Sequence, residues 1–169
     1  MTTALPSTPC PPPQDLLDDM LYEPGPYLLR ELLELDAEES LVRLAFGSDR
    51  SQPITGSQRV GPGHPAHVAG ALLVHLTGAA GFVHAYYLLG LRHRDGWVGF
   101  GTHIHRAVFR KLITPGEDFE MTCRATRVRP GRDRYIVRYD LEVRRNGARC
   151  YQGDQSAAWM RGTEGLSPG

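Results

Sequence analysis

The chain has seven histidines, the side chains best suited to move protons near neutral pH. Four of them gather around one apolar run. His64 and His67 precede it, while His75 and His84 lie inside Val68 to Leu89, VAGALLVHLTGAAGFVHAYYLL. The spacing of His64, His67 and His75 places three imidazoles near the start of one element. Histidines at a helix mouth are candidates for proton transfer. Each also has a plainer reading. His75 on an apolar helix can be a hydrogen-bonded core group, and His67 can be a surface residue at the helix edge. His84 stands nine residues beyond His75, about 180° around a helix, and reads as structural. His103 and His105 share one strand face, but no third ligand accompanies them, so no metal site is expected.

The element carrying these residues has no full charge and no proline. A run this long is either a membrane span or a helix wrapped by the rest of a domain. Its two histidines, its Gly and Thr content and the lack of a basic anchor on its N-terminal side favour a buried core helix. The first amides of such a helix, around Val68 to Ala71, have no intrahelical acceptor and can point toward a bound carbonyl.

The flanking segments must supply the wrapping. The Pro-rich stretch 1–13 reads as a disordered or loosely attached leader, and Gln14 to Tyr22 as a short helix stopped by Pro24 and Pro26. Tyr27 to Asp36 and Ser40 to Phe46 read as a strand pair. Gly47 to Gly63 is a long polar loop feeding the central helix and a candidate active-site loop. Trp97 to Val108 follows as a strand with Val98, Phe100, Thr102 and Ile104 on one face. Phe119, Met121, Cys123 and Ala125 alternate with polar residues, and so do Tyr135, Val137, Tyr139, Leu141 and Val143, the pattern of half-buried strands. Asn146-Gly147 marks a two-residue hairpin into a last strand, Ala148 to Met160. This predicts a single α+β domain over residues 14–161, a curved antiparallel sheet wrapped around one long helix, with a flexible tail at 162–169.

A chain of 169 residues can build such a core alone. Nineteen basic residues balance nineteen acidic ones, so no global field argues for nucleic acid or an anionic membrane. Lys111 is the sole lysine, which looks like a composition bias. Cys10, Cys123 and Cys150 are far apart and odd in number, so a reducing cytoplasm is the natural setting. No basic and apolar leader suggests a signal peptide.

Several short motifs carry a resemblance. Pro26-Tyr27-Leu28-Leu29 with Leu33-Glu34-Leu35-Asp36, Pro62-Gly63-His64-Pro65 with Gly70-Ala71-Leu72-Leu73, and Phe109-Arg110-Lys111-Leu112-Ile113-Thr114-Pro115-Gly116-Glu117 resemble the 3-hydroxyacyl-ACP dehydratases of the hotdog superfamily. The Gly63-His64 junction and the Phe109-Arg110-Lys111 segment also resemble the mycobacterial long-chain fatty acyl-CoA thioesterase family. The likeness spans roughly residues 26–160. It implies a hotdog fold, an acyl chain carried on coenzyme A or acyl carrier protein, a homodimer or dimer of dimers, and no cofactor. It implies that the Gly70 amide, with Ala71 beside it, polarises a thioester oxygen. Arg92, Arg94, Arg106, Arg110 and Lys111 are candidates to meet carrier phosphates or an acidic carrier face.

The resemblance also exposes a departure. The family histidine falls on Val60, and the helix carboxylate falls on His75. Either His64 or His67 serves as base with His75 as partner, or the dehydratase chemistry is absent. The polar tyrosine and asparagine of the thioesterase family fall on Gln58 and Ala66, so hydrolysis would need a water activated by His64, His67 or His75. The leading expectation is dehydration of a 3-hydroxyacyl thioester, or its reverse. Thioester hydrolysis is the alternative, and a non-catalytic acyl-binding subunit is the reading from a different class.

Overall fold

A computed structural model describes residues 5–23, 25 and 28–162 of the protein. The expectations for Pro24, Pro26 and Tyr27, the start of the leader and the tail beyond Gly162 lie outside the described residues.

Six strands form one antiparallel sheet: β1 (Leu29–Asp36), β2 (Leu41–Phe46), β3 (Trp97–Phe109), β4 (Phe119–Arg129), β5 (Arg134–Arg145) and β6 (Ala148–Arg161). Their spatial order is β1-β2-β4-β5-β6-β3, which leaves β1 and β3 at the edges. The alternation read from the sequence sets which face turns inward. Phe119, Met121 and Cys123 of β4 and Val137, Tyr139, Leu141 and Val143 of β5 are buried, while Glu120, Arg124 and Arg138 between them are exposed. Asn146 and Gly147 both adopt positive φ, 49° and 74°, as a tight hairpin matching the right-handed strand twist requires.

Two short helices, α1 (Gln14–Leu17) and α2 (Pro53–Gly56), flank the sheet's first hairpin in sequence, and α3 (Gly70–His84) is the central helix. Helix α3 continues as a π-turn, Ala85–Leu89, and stops at Gly90 in the left-handed region. Gly70–Leu89 is long and apolar enough to cross a membrane by composition, yet 72% of that window is buried inside the domain. Its apolar faces are satisfied by protein, as the buried-core reading expected.

One stripe of α3 stays uncovered. Ala71 and Gly78 are exposed, and Val74 and His75 are half-buried. The spacing 71, 75, 78 is that of neighbours one helical turn apart, so the sheet closes around the helix except along this line.

Two expectations are corrected. The leader is not loose at Cys10, whose amide donates to the Leu32 carbonyl at 3.0 Å and whose carbonyl accepts from the Leu32 amide at 2.8 Å. Strand β3 does not present Val98, Phe100, Thr102 and Ile104 as one regular face. Register shifts between Gly101 and His103 and between Ile104 and Arg106 break the period of two. Most of this strand is open, with Phe100 40%, Ile104 54% and Phe109 53% exposed.

Candidate functional site

The uncovered stripe of α3 forms one wall of a cavity of about 470 Å³, within the range of small-molecule sites. His75 and Gly78 come from the helix, Gly101 and His103 from β3, and Phe82 and Trp159 line it as well. The ring contact of Phe82 with Trp159, 5.9 Å between centroids, marks an apolar end. Polar groups border the cavity nearer the helix start. Gln155 lies within hydrogen-bond distance of Thr77 Oγ1 and of the Tyr151 hydroxyl, 2.9 Å in each case. Tyr22 approaches His75 edge-on with ring centroids 5.4 Å apart. No carboxylate lines the cavity among the described residues.

Burial lowers the pKa of His75 below the ordinary 6.5. The imidazole is therefore neutral at neutral pH and can accept a proton. His103 also borders the cavity, and sequence reasoning weighed it only for metal. Its position opposite the helix wall follows from long-range pairing of β3 with β6, for which the local sequence carries no signal. Its ring stacks on His105 at 5.7 Å, and His105 Nε2 lies 2.7 Å from Ser156 Oγ. Among the described residues no group of three or more His, Cys, Asp or Glu is arranged to hold a metal ion.

His64 and His67 are brought to each other and not to the cavity. Their rings lie 5.2 Å apart. His64 is exposed in a tight turn whose Gly61 and His64 amides and carbonyls bond reciprocally, at 3.0 and 3.1 Å. His67 Nδ1 lies 3.0 Å from the Pro65 carbonyl. The Gln58 side chain clamps the His67 backbone, accepting from its amide and donating to its carbonyl. The 47–63 loop therefore positions the helix entry, and none of its residues borders the cavity.

At the start of α3, the Val68 amide donates to the Ile113 carbonyl at 2.7 Å, and the Leu72 and Leu73 amides turn onto the Ala69 carbonyl. Helix geometry leaves the Gly70 and Ala71 amides without an intrahelical acceptor. Ala69, at the N-cap, supplies no side-chain cap. A Cβ at Gly70 would come within 3.0 Å of the Phe109 ring, so the end of β3 lies over the helix start. That brings the neighbouring exposed Arg110 and Lys111 to the same end of the domain, with Arg106 three residues earlier on the strand.

Arg92 and Arg94 have other work. Asp19, 4% exposed, accepts from the His93 and Arg94 amides at 2.9 Å each and from Arg94 Nε at 3.3 Å. Arg94 also bonds the Tyr86 hydroxyl and the Asp15 carbonyl. The Arg92 guanidinium sits 4.8 Å above the Tyr86 ring. This clamp fastens the N-terminal segment to the far end of the central helix, away from the helix start where Arg110 and Lys111 lie.

No protein-family model and no curated protein matches the chain. Solved structures do. A thioesterase from Pseudomonas aeruginosa superposes with TM-score 0.58 at 15% identity, covering 92% of this chain and 96% of that one. The ApeI:P dehydratase heterocomplex from Xenorhabdus doucetiae gives 0.62 at 12% identity, over 88% and 92%. A thioesterase from Haemophilus influenzae gives 0.57 at 14% identity, over 88% and 90%. The chain has the hotdog fold. At these identities the likeness establishes this hotdog domain's architecture and leaves its reaction to its own residues.

Proposed function

We propose that the protein is an acyl-thioester hydrolase. The observation that carries this reading is His75, a neutral imidazole on the open stripe of the central helix, bordering a cavity with no carboxylate among its described lining residues. The sequence expectation put dehydration first, which needs an acid and a base of unlike proton affinity facing across the substrate. The imidazoles expected to complete that pair, His64 and His67, lie outside the cavity. Hydrolysis asks for less: one base, one water and a place for an oxyanion. Solved structures of similar shape include several thioesterases, which supports the same choice.

In this reading the thioester carbonyl lies just beyond the cavity lining, at the helix start, and accepts from the Gly70 and Ala71 amides. His75 takes a proton from water, and the resulting hydroxide adds to the carbonyl carbon. The amides stabilise the tetrahedral oxyanion, a preorganised arrangement that costs no reorganisation as charge develops. Collapse breaks the C–S bond, releasing a carboxylic acid and a thiolate, and His75 returns its proton to the thiolate or to solvent. His75 is four residues from Ala71, about 6 Å along the axis and on the same face of the helix, and helical side chains lean toward the N-terminus. That separation accommodates a thioester and a water. Arg106, Arg110 and Lys111 meet the phosphates of a coenzyme A or phosphopantetheine carrier.

The open edge of β3 with its exposed Phe100, Ile104 and Phe109 is suited to pair with the same strand of a second copy. Light scattering on the purified protein tests for the dimer.

Saturated, 3-hydroxyacyl and enoyl thioesters, followed for free thiol and for mass change by water, separate the reactions. Thiol release from saturated acyl thioesters is expected. Loss of water from the 3-hydroxyacyl thioester without thiol release would overturn hydrolysis in favour of dehydration.

A further inference from the structure

The cavity has a size and a direction, and four glycines define both. A Cβ on Gly99 would press to within 2.6 Å of the Trp159 ring, and one on Gly81 would meet the Tyr139 ring at 3.7 Å. These two glycines seat the aromatic end. Gly78 on the helix and Gly101 on β3 differ, because a Cβ on either meets nothing within 4 Å although both border the cavity. The space beyond them is left empty by the absence of two side chains, one on each wall.

The helix also gives a ruler. The open stripe runs from Ala71 through His75 to Gly78, and one turn further the buried Phe82 meets Trp159 at the far end. Eleven residues from Ala71 to Phe82 span about 16 Å along the axis. An extended hydrocarbon chain advances about 1.25 Å per carbon, from ordinary C–C lengths and angles, so roughly twelve carbons fill that length. Volume agrees: at roughly 30 Å³ per non-hydrogen atom, a cavity of about 470 Å³ holds on the order of fifteen atoms. Gly78 lies about 11 Å from Ala71 by the same rise, the depth reached by an acyl chain of roughly eight carbons.

We infer that this cavity binds a linear, medium-chain acyl group of about twelve carbons, with Gly78 and Gly101 as the gauge of its length and Trp159 at its end. The inference rests on the acyl-thioester reading for the identity of the ligand and for the Ala71 end of the ruler, while its glycine gauge and aromatic end rest on the cavity. Longer chains of sixteen carbons overrun the aromatic end and gain nothing from their last methylenes.

Trp159 gives a readout that needs no turnover. Fatty acids brominated at the terminal carbon, with eight, twelve and sixteen carbons, quench a nearby indole by contact. They are titrated into the full chain carrying Trp97→Phe, so that Trp159 alone emits. Twelve carbons are expected to quench most strongly and to bind at least ~10-fold tighter than eight, since each further buried methylene adds affinity. Sixteen carbons are expected to bind no tighter than twelve. Gly78→Leu, a change that favours helix, is expected to weaken the twelve-carbon acid by ~10-fold or more while leaving the eight-carbon acid within ~3-fold. Gly101→Val is a second variant on the opposite wall, with the same expectation should Gly78→Leu not fold. Equal binding of eight and twelve carbons, or an unchanged ratio in both variants, overturns the gauge. Length-dependent quenching in a protein that releases no thiol keeps the gauge and removes the hydrolase. Thiol release with no length dependence does the reverse.

Discussion

Two histidines sit nine residues apart on the same helix, both held below the ordinary imidazole pKa by burial, and the molecule uses them in opposite ways. His84 is fully buried. Its Nε2 lies 3.0 Å from Ser40 Oγ, in the β1–β2 turn, and its Nδ1 lies 3.3 Å from the Tyr139 hydroxyl. Both ring nitrogens are engaged, and the ring ties the first hairpin to β5 through the centre of the domain. His75 is half-buried, meets Tyr22 edge-on, and borders a cavity with room for a ligand. A lowered pKa alone does not separate the two. What separates them is whether the space beside the ring is filled by protein, and that follows from the half-turn between positions 75 and 84 on a helix whose wrapping is complete on all sides but one.

The largest expected effect breaks the pair on the functional side. His75→Gln is expected to lower thioester hydrolysis by ~10²-fold or more, the scale of a lost general base, with an unfolding midpoint close to that of the parent protein. His84→Leu is expected to do the opposite, retaining the rate per folded molecule. An unchanged rate in His75→Gln removes that residue from the mechanism. Because the base must be unprotonated, the parent rate should fall on the acid side through a pKa below 6.5, in the direction burial dictates for His75. A rate that climbs with acidity instead would reverse its role.

The second effect is on stability and belongs to His84. Burial holds this ring at about 4, against 6.5 for a free imidazole. Between those values the unfolded chain binds a proton that the folded chain refuses. The contribution of neutral His84 is therefore fully present above about pH 6.5, falls as the pH drops toward 4, and is lost below it. The loss amounts to on the order of 3 kcal/mol. Urea unfolding at pH 7 and pH 4.5 measures it. His84→Leu should start lower at pH 7, by about 1–3 kcal/mol for the stranded Ser40 and Tyr139 hydroxyls, and should show a shallower decline with acid. An equal decline in parent and variant would assign the acid sensitivity to other groups.

This contrast also marks what the sequence could and could not reveal. The wrapped helix, the alternating strands β4 and β5 and the Asn146-Gly147 hairpin are local patterns of period and turn chemistry, and they were legible as such. Placing His84 half a turn from His75 was a matter of helical geometry. The cavity was not legible, because it is bounded by elements far apart in sequence: Tyr22, the middle of α3, β3 and β6. Nothing near His103 announces that β3 will lie beside β6 and bring that ring to the cavity wall. The bulges in β3 are equally silent, since Val98, Phe100, Thr102 and Ile104 keep perfect alternation in sequence while the pairing slips twice. Arg94 looked like a free cation until Asp19, seventy-five residues earlier, was seen to hold it.

A third test sharpens the boundary between cavity and core. Gly99 borders the cavity, but its missing side chain serves Trp159, whose ring would lie 2.6 Å from an added Cβ. The indole is 3% exposed and packed against Phe82, so it cannot swing aside freely. Gly99→Ala is expected to destabilise by about 1–3 kcal/mol, the usual range for an overpacked site. Gly78→Ala, with nothing within 4 Å, should be neutral or slightly stabilising on helix propensity. Similar unfolding midpoints for the two variants would show that the aromatic end yields easily and that the cavity has no firm floor.

The smallest expected effect concerns the histidines that the sequence placed first. His64 and His67 lie near each other with tilted rings at the entry to the helix, outside the cavity, and the Gln58 clamp holds His67 through its backbone, which any side chain would preserve. Replacing either by Ala should therefore change kcat/KM by less than ~3-fold, below the ~10²-fold that marks a proton-transfer role. Gln58→Ala removes the clamp itself. It should cost more than either histidine, because two hydrogen bonds at the helix entry are lost at about 1 kcal/mol each and the Gly70 and Ala71 amides lose part of their positioning. If His64→Ala instead matched His75→Gln in its loss of rate, the base would lie at the helix entry. The cavity histidine would then be the structural one, and the assignments of the two ends of the helix would exchange.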